Sequence, residues 1–354
     1  MREIVMILST MKKAGAERVA SILSDEFVKA GRKVTIVIYE NCVEYELNRE
    51  VKVIALEQKH GKLRRIAGLV GDIRNICRER NDNVIMLPML DAILTHTAAV
   101  SALSGIPFIA REANSFESRC RTLKDKISYF WPFFLAKKIA VQTETIRDFF
   151  PQYLQKKICV ITNPVQIPDE EWRPHVCWRA VCFGRLFESK NFPLMLDAFA
   201  IVKNSIPEAE LYIYGEGELR KNLEDKAETL GISDIVFFPG VTEDVASAMR
   251  NAAVFVSSSD YEGLSNSMLE AMAIGMPVVC TDCDGGGARW AIGDNERGLL
   301  VPKGDAEKLA EAIEKMMLDR EFAYRKGISA REFCREFDPA KTAARWLEII
   351  KKMD

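Results

Sequence analysis

One strand-to-helix alternation runs along this chain, stops at a proline-rich break, and then starts again. The apolar run 3–8 reads as a buried strand, 12–17 as a turn, 16–30 as a helix and 33–39 as the next strand, which makes one βαβ unit. Residues 84–87 and 107–110 read as further strands with helical segments between them, and Ala140 and Val141 belong to another. The first half is therefore expected to be a parallel sheet. After 158–161, the stretch Asn163-Pro-Val-Gln-Ile-Pro-Asp-Glu-Glu-Trp-Arg-Pro174 carries three prolines and little periodicity, as an interdomain linker would. Strands then recur at 180–184, 210–214, 235–238, 254–257, 277–280 and 298–301, with helical patterns such as 193–203, 218–230 and 306–318 between them.

The expected class is α/β with two doubly wound domains, 1–165 and 175–338, and a last helix, 339–351, that packs back toward the first with the chain end at 354. At 354 residues the chain exceeds what one hydrophobic core supports, which fits this division. Ligands of open parallel sheets sit at the C-terminal strand edges, so two such domains facing each other would enclose a cleft.

Charge and composition exclude several classes. The net charge of -2 gives no global pull toward nucleic acid, so any basic surface is a local patch. Nine scattered cysteines are odd in number and unlike a disulfide framework; a reducing cytoplasm fits them best. The apolar run 4–8 is too short for a signal-peptide core and is soon followed by Lys12 and Lys13, and no stretch approaches a membrane-spanning helix. With His60, His96 and His175 the only histidines, and Cys280-Thr-Asp-Cys283 standing alone, a tetrahedral zinc site lacks ligands.

The best clue to function is Glu262-Gly-Leu-Ser-Asn-Ser-Met-Leu-Glu270, two carboxylates eight positions apart across a glycine loop and the start of a helix. If both were helical they would stand about 12 Å apart along the axis, beyond the roughly 5 to 9.5 Å that lets two carboxylates share one glycosidic bond. They suit instead the hydroxyls at opposite ends of one elongated ligand, with backbone N–H groups of Leu264 and Ser265 facing its middle. A nucleotide sugar has that layout.

Two strand-to-helix turns add to it. Gly184-Arg185-Leu-Phe-Glu-Ser-Lys190-Asn191 offers a guanidinium fork and an ammonium point charge where a diphosphate would lie. Tyr214-Gly215-Glu216-Gly217 allows close backbone approach to a ligand, and equally serves a tight structural turn. Gly15 is a single glycine after the first strand, not G-x-G-x-x-G, which disfavours a dinucleotide cofactor.

Taken together, Gly184-Arg185-Leu with Lys190-Asn191, Tyr214-Gly-Glu-Gly217, the Glu262 and Glu270 pair, and Asn295-Glu-Arg-Gly-Leu-Leu-Val-Pro302 resemble the family-4 retaining glycosyltransferases. That family has the GT-B fold, two Rossmann-like domains facing across a cleft. The match spans nearly the whole chain; in the first half it rests on Ala14-Gly15-Ala-Glu17-Arg18. Within the family the chain looks most like bacterial enzymes that extend capsular, exopolysaccharide or lipid-linked oligosaccharides. The resemblance implies that Arg185 and Lys190 hold the donor diphosphate, Glu270 the ribose and Glu262 the sugar, with Gly184, Gly215, Leu264 and Ser265 alongside. Gly15 would approach the diphosphate from the other domain. It also implies retention of configuration by front-face attack, with a UDP-sugar as donor substrate and no cofactor.

Asp282-Cys-Asp284 has the D-x-D form by which some glycosyltransferases hold Mn²⁺ or Mg²⁺, but it lies beside Gly285-Gly-Gly287, where loop solvation explains it more simply. Two departures stand out. Where many members have a histidine, Arg111-Glu112-Ala113-Asn114 has alanine, which makes Glu112 and Asn114 candidate acceptor contacts. After the glycine run, Trp290 replaces the usual acidic residue.

Arg119, Arg121, Lys124 and Lys126 precede Tyr129-Phe-Trp-Pro-Phe-Phe134, with Lys137 and Lys138 after it. This 119–138 segment either seats the first domain on the inner face of an anionic membrane, near a lipid-linked acceptor, or packs its aromatics in a core. Two other readings stay open: a UDP-sugar epimerase of the same architecture, and a non-catalytic partner subunit of a transferase.

Overall fold

The computed structural model describes residues 1–56, 65–113, 122–174, 177–242 and 244–353. The chain divides into two compact units, Met1–Pro164 with Pro339–Asp354, and Val165–Asp338.

In the first unit the elements run β1 (Glu3–Leu8), α1 (Gly15–Lys29), β2 (Val34–Ile38), β3 (Lys52–Ala55), α2 (Arg65–Arg78), β4 (Val84–Pro88) and α3 (Asp91–Ser104). They continue with β5 (Ile109–Glu112), α4 (Leu123–Leu135), β6 (Lys138–Val141), α5 (Glu144–Phe149), α6 (Gln152–Gln155) and β7 (Ile158–Val160). All the strand pairs are parallel, in the orders β3-β2-β1-β4 and β5-β6-β7. A bridge from Met86 to Phe108 carries the first series into the second.

Strand β1 shows why its sequence is an unbroken apolar run. Val5 and Ile7 enter one core with Ile73, Phe108 and Phe133, while Ile4, Met6 and Leu8 enter the other with Phe27 and Trp346. A strand buried on both faces has no position for a polar residue. Helix α1 starts at Gly15, inside the expected turn. Ala14 is extended at its N-cap, and Glu17 supplies a first-turn carboxylate that the helix dipole favours.

The second unit runs β8 (Arg179–Phe183), α7 (Phe192–Ser205), β9 (Glu210–Tyr214), α8 (Arg220–Thr229), β10 (Val236–Gly240), α9 (Val245–Arg250) and β11 (Val254–Ser257). Then come α10 (Asn266–Ala273), β12 (Val278–Thr281), α11 (Gly287–Ile292), β13 (Leu299–Val301), α12 (Ala306–Leu318) and α13 (Arg320–Cys334). Its six parallel strands lie in the order β10-β9-β8-β11-β12-β13. The direction of travel across the sheet reverses between β8 and β11. Two loops diverge at that point, and such a switch is where open α/β sheets hold ligands.

Helix α14 (Pro339–Lys351) belongs to the first unit and packs on α1. Trp346, Ile349 and Ile350 join the core of Phe27 and β1. Trp346 is 2% exposed, and truncating a buried aromatic costs roughly 3–5 kcal/mol. Trp346→Ala should lower the urea midpoint and raise amide hydrogen exchange in β1 and β2 while α10 keeps its protection. Equal loss of protection in both units would contradict the assignment of α14 to the first core.

Candidate active site

At the switch point of the second unit, the β8–α7 loop and the β11–α10 loop are joined side by side. The Lys190 ammonium lies 2.5 Å from Glu262 Oε1. Around this pair, Ser258 Oγ donates to the Lys190 carbonyl at 3.0 Å and the Asp260 N–H donates to the Ser189 carbonyl at 3.0 Å. Asn191 Nδ2 donates to Asp260 Oδ1, also at 3.0 Å. Asn191 stands at φ 43° and its side-chain oxygen accepts from the Leu194 N–H, so one residue turns the chain, caps α7 and ties the loops. Asparagine tolerates that left-handed conformation better than other non-glycine residues.

Burial pulls the Lys190 pKa down, but the charge of Glu262 and its hydrogen bond outweigh this, and the net shift is upward. Lys190 is therefore a cation throughout the neutral range. Both side chains keep 22% of their surface exposed, so the pair is reachable by a ligand. Three thiols stand near it. Burial pushes Cys182 up to about 12, Cys283 up to about 11 and Cys280 well above its ordinary value, so all three are neutral.

Arg185, on the same loop as Lys190, is exposed, and its guanidinium lies 4.8 Å from the Phe187 ring. Among the described residues no carboxylate pairs with it. Glu270 is half-buried on α10, whose N-cap is Ser265; the Ser265 hydroxyl accepts from the Met268 N–H. Leu264 and Ser265 thus stand at the positive end of this helix. Ser267 Oγ donates to the Phe183 carbonyl, fixing the start of α10 to the end of β8.

The glycines at this edge are largely structural. A Cβ on Gly215, which sits at φ +139°, would lie 2.0 Å from the Gly184 carbonyl oxygen. One on Gly287 would lie 1.8 Å from that of Gly263. Gly184 and Gly215 therefore bring two strand-end turns together, and Gly287 seats α11 under the Glu262 loop. The two D-x-D carboxylates have cation partners: Asp282 pairs with Arg289, and Asp284 with Lys303 at 2.9 Å. Trp290 packs on Phe333 and Phe337, with centroids 5.3 and 5.6 Å away.

In the first unit, Gly15 is exposed at the N-terminus of α1. The loop before it is tied to the loop after β2: the Met11 N–H donates to the Cys42 carbonyl, the Lys13 N–H to Glu44 and the Tyr45 hydroxyl to the Ala14 carbonyl. Glu112 is wholly buried and accepts from the Tyr129 hydroxyl, so its carboxylate holds α4 against β5. Beside it, buried Arg111 donates to the Met89 carbonyl at 3.0 Å and to Asn163 Oδ1 at 2.7 Å. Burial lowers the Arg111 pKa, with Asp91, Glu112 and Glu17 opposing. Asn114, Arg119 and Arg121 lie outside the described residues.

The structure brings Arg185, Lys190 and Glu262 to one strand edge, with the start of Glu270's helix fixed to it. It adds Ser258, Ser259, Asp260 and Asn191, to which sequence reasoning gave no role. The pattern Ser257-Ser-Ser-Asp260 after an apolar strand was the available signal, and it reads as an ordinary polar loop.

Residues 175–333 match the family model "Glycosyl transferases group 1". The lipopolysaccharide core biosynthesis glycosyltransferase LpsE of Rhizobium meliloti is 40% identical over 136 residues, and the poly(glycerol-phosphate) alpha-glucosyltransferase of Bacillus subtilis 30% over 180. Those matches cover 38% and 51% of this chain but only 38% and 27% of the two relatives. A Campylobacter jejuni protein named GalNAc-alpha-(1->4)-GalNAc-alpha-(1->3)-diNAcBac-PP-undecaprenol alpha-1,4-N-acetyl-D-galactosaminyltransferase is 27% identical over 100% of this chain and 99% of its own. Among solved structures, Staphylococcus aureus TarM with fondaparinux, alpha-GlcNAc-glycerol and UDP superposes with a TM-score of 0.85 at 15% identity, covering 99% of both chains. Anabaena HepE with UDP and glucose gives 0.83 at 17% identity, over 99% of this chain and 100% of that one. The second unit is thus similar to the group 1 glycosyl transferases, and the two Rossmann-like units of the chain are those of the GT-B fold.

Proposed function

We propose that the protein is a retaining, metal-independent transferase that moves a hexose or N-acetylhexosamine from a UDP-sugar to a saccharide acceptor on a lipid carrier. The product would enter cell-surface polysaccharide or glycan. The observation that carries this reading is the Lys190–Glu262 pair at the switch point, with Arg185 exposed on the same loop. A UDP-sugar offers a diphosphate to the two cations and hydroxyls at each end to Glu262 and Glu270. The UDP held by the TarM and HepE structures, and the undecaprenol-linked saccharide in the name of the Campylobacter relative, support the donor and acceptor classes.

In this reading the second unit binds the donor and the first serves the acceptor side. The acceptor oxygen bonds to the anomeric carbon on the face from which the diphosphate departs. The departing phosphate oxygen takes the acceptor's hydroxyl proton, so no separate base is required. Lys190 and Arg185 offset the charge that grows on the diphosphate, a stabilisation larger in the transition state than in the ground state.

UDP release from a UDP-sugar should therefore require a saccharide acceptor, and Lys190→Ala should cut kcat by roughly 100-fold while changing UDP affinity far less. Release of an epimerised sugar without acceptor would point to the epimerase instead. Glu270→Ala should weaken UDP binding by about 10-fold or more in calorimetry, the cost of losing a charged acceptor for the ribose hydroxyls. Unchanged UDP affinity would count against Glu270 as the ribose contact.

We also assign the 119–138 segment to an anionic membrane surface on the cytoplasmic side. On α4, Phe130 and Phe133 are buried, whereas Trp131, Phe134 and Leu135 are exposed at i, i+3 and i+4 beside exposed Lys137. Among the described residues no helix is long and apolar enough to cross a membrane. Aromatic and cationic side chains together suit contact with the headgroup layer. Charge reversal at Arg119, Arg121, Lys124 and Lys126 should abolish flotation with phosphatidylglycerol liposomes; flotation equal to wild type removes the assignment.

A further inference from the structure

The Lys190 ammonium donates to one oxygen of Glu262, Oε1. The other, Oε2, accepts a hydrogen bond from Ser259 Oγ at 3.1 Å, and Ser259 is 1% exposed. We propose that Ser259 is a positioning residue: its hydroxyl fixes the rotation of the Glu262 carboxylate, so that one oxygen faces Lys190 and the group keeps a single orientation toward the donor sugar. This rests on the reading of Lys190 and Glu262 as donor-handling groups.

The serine is itself held. Its carbonyl accepts from Thr281 Oγ1 at 2.5 Å, which ties it to the end of β12. Its hydroxyl lies 3.2 Å from Ser257 Oγ, the last residue of β11. Its neighbour Ser258 holds the Lys190 backbone, so adjacent serines fix the cation from one side and the carboxylate from the other. The Glu262 backbone is fixed separately, by its N–H donating to the Asp284 carbonyl at 2.9 Å. What the backbone contact leaves free to turn in Glu262 is its side chain, and Ser259 on Oε2 together with Lys190 on Oε1 stops it. A glutamate on a loop loses rotamer freedom only when such a contact holds it, and misplacing a reacting group by about 1 Å can cost on the order of 100-fold in rate. Ser259 is almost wholly buried and its hydroxyl lies on Glu262, so its effect would pass through the carboxylate.

The test uses UDP for binding and, for turnover, whichever of UDP-glucose, UDP-galactose, UDP-N-acetylglucosamine and UDP-N-acetylgalactosamine releases UDP fastest with acceptor. Ser259→Ala should lower kcat on the order of 10-fold and leave UDP affinity unchanged, because UDP lacks the sugar that Glu262 serves. A UDP-induced rise in melting temperature equal to that of wild type establishes that the variant is folded. Ser259→Thr, which keeps the hydroxyl, should recover most of the rate. Added to Glu262→Ala, the serine change should cost no more than about 2-fold further, since its effect then has no carboxylate to act through. The same rate loss in both backgrounds, or a matching loss of UDP affinity, would show that Ser259 only supports the loop and overturn the proposal. A Glu262→Ala enzyme with full activity would instead remove the donor reading itself, whereas an impaired Glu262→Ala beside a normal Ser259→Ala removes the positioning alone.

Discussion

The pairing of β8 with β11 is the constraint on which the site depends. These strands are parallel neighbours although three helices and two strands separate them along the chain, and the loops that leave their C-terminal ends must turn away from each other. The space between diverging loops is where backbone N–H groups and side chains can converge without strand hydrogen bonds to satisfy. In this chain it is closed from behind by Asp260 meeting Asn191 and Ser189, and at its centre by Lys190 meeting Glu262. The apolar layers beneath, with Phe192, Met195 and Phe199 on one face and Met268, Leu269 and Met272 on the other, keep the two loops in register.

How much of this was legible in the sequence depended on whether a feature is local. Strand β1 could be read because burial on both faces demands five apolar residues in a row. Strand β3, with Lys52 exposed and the rest half-buried, carries no such run, and its place at the sheet edge comes from pairing with β2 and not from its own pattern. Helix α13 was hidden for a similar reason. Its buried residues are Ala323, Gly327, Ala330 and Cys334, small side chains that give a weak apolar stripe, and Gly327 lies so close to Gly275 that a Cβ would meet its carbonyl oxygen at 1.9 Å.

The same division runs through the site. Arg185 and Lys190 could be singled out as cations at a strand-to-helix turn, and Glu262 and Glu270 as two carboxylates eight positions apart across a glycine loop and a helix start. Their mutual arrangement could not. Lys190 and Glu262 are 72 positions apart, and reading one as a diphosphate contact and the other as a sugar contact gave no hint that they pair with each other. Gly215 was open between two roles, and the 2.0 Å approach of its would-be Cβ to the Gly184 carbonyl gives the structural one a concrete cause. Glu112 was conspicuous for the opposite reason: the sequence marks a charge at a strand end but not that the strand end is covered, and Tyr129, 17 positions on, covers it.

The ion pair also bears on how a donor would be received. An ammonium and a carboxylate that are partly desolvated together stabilise each other, and removing either leaves the other without compensation. A diphosphate arriving at Lys190 would supply a further anion with more than one acceptor oxygen, and Glu262 would keep the orientation that Ser259 gives it. Arg185, exposed and without a carboxylate of its own among the described residues, adds a second cation without any pair having to be broken. Lys190 and Arg185 together would give the proposed site two cations for a doubly charged group. In the proposed site a carboxylate beside the lysine would hold the ammonium in place before a diphosphate arrives, while its second oxygen stays on Ser259.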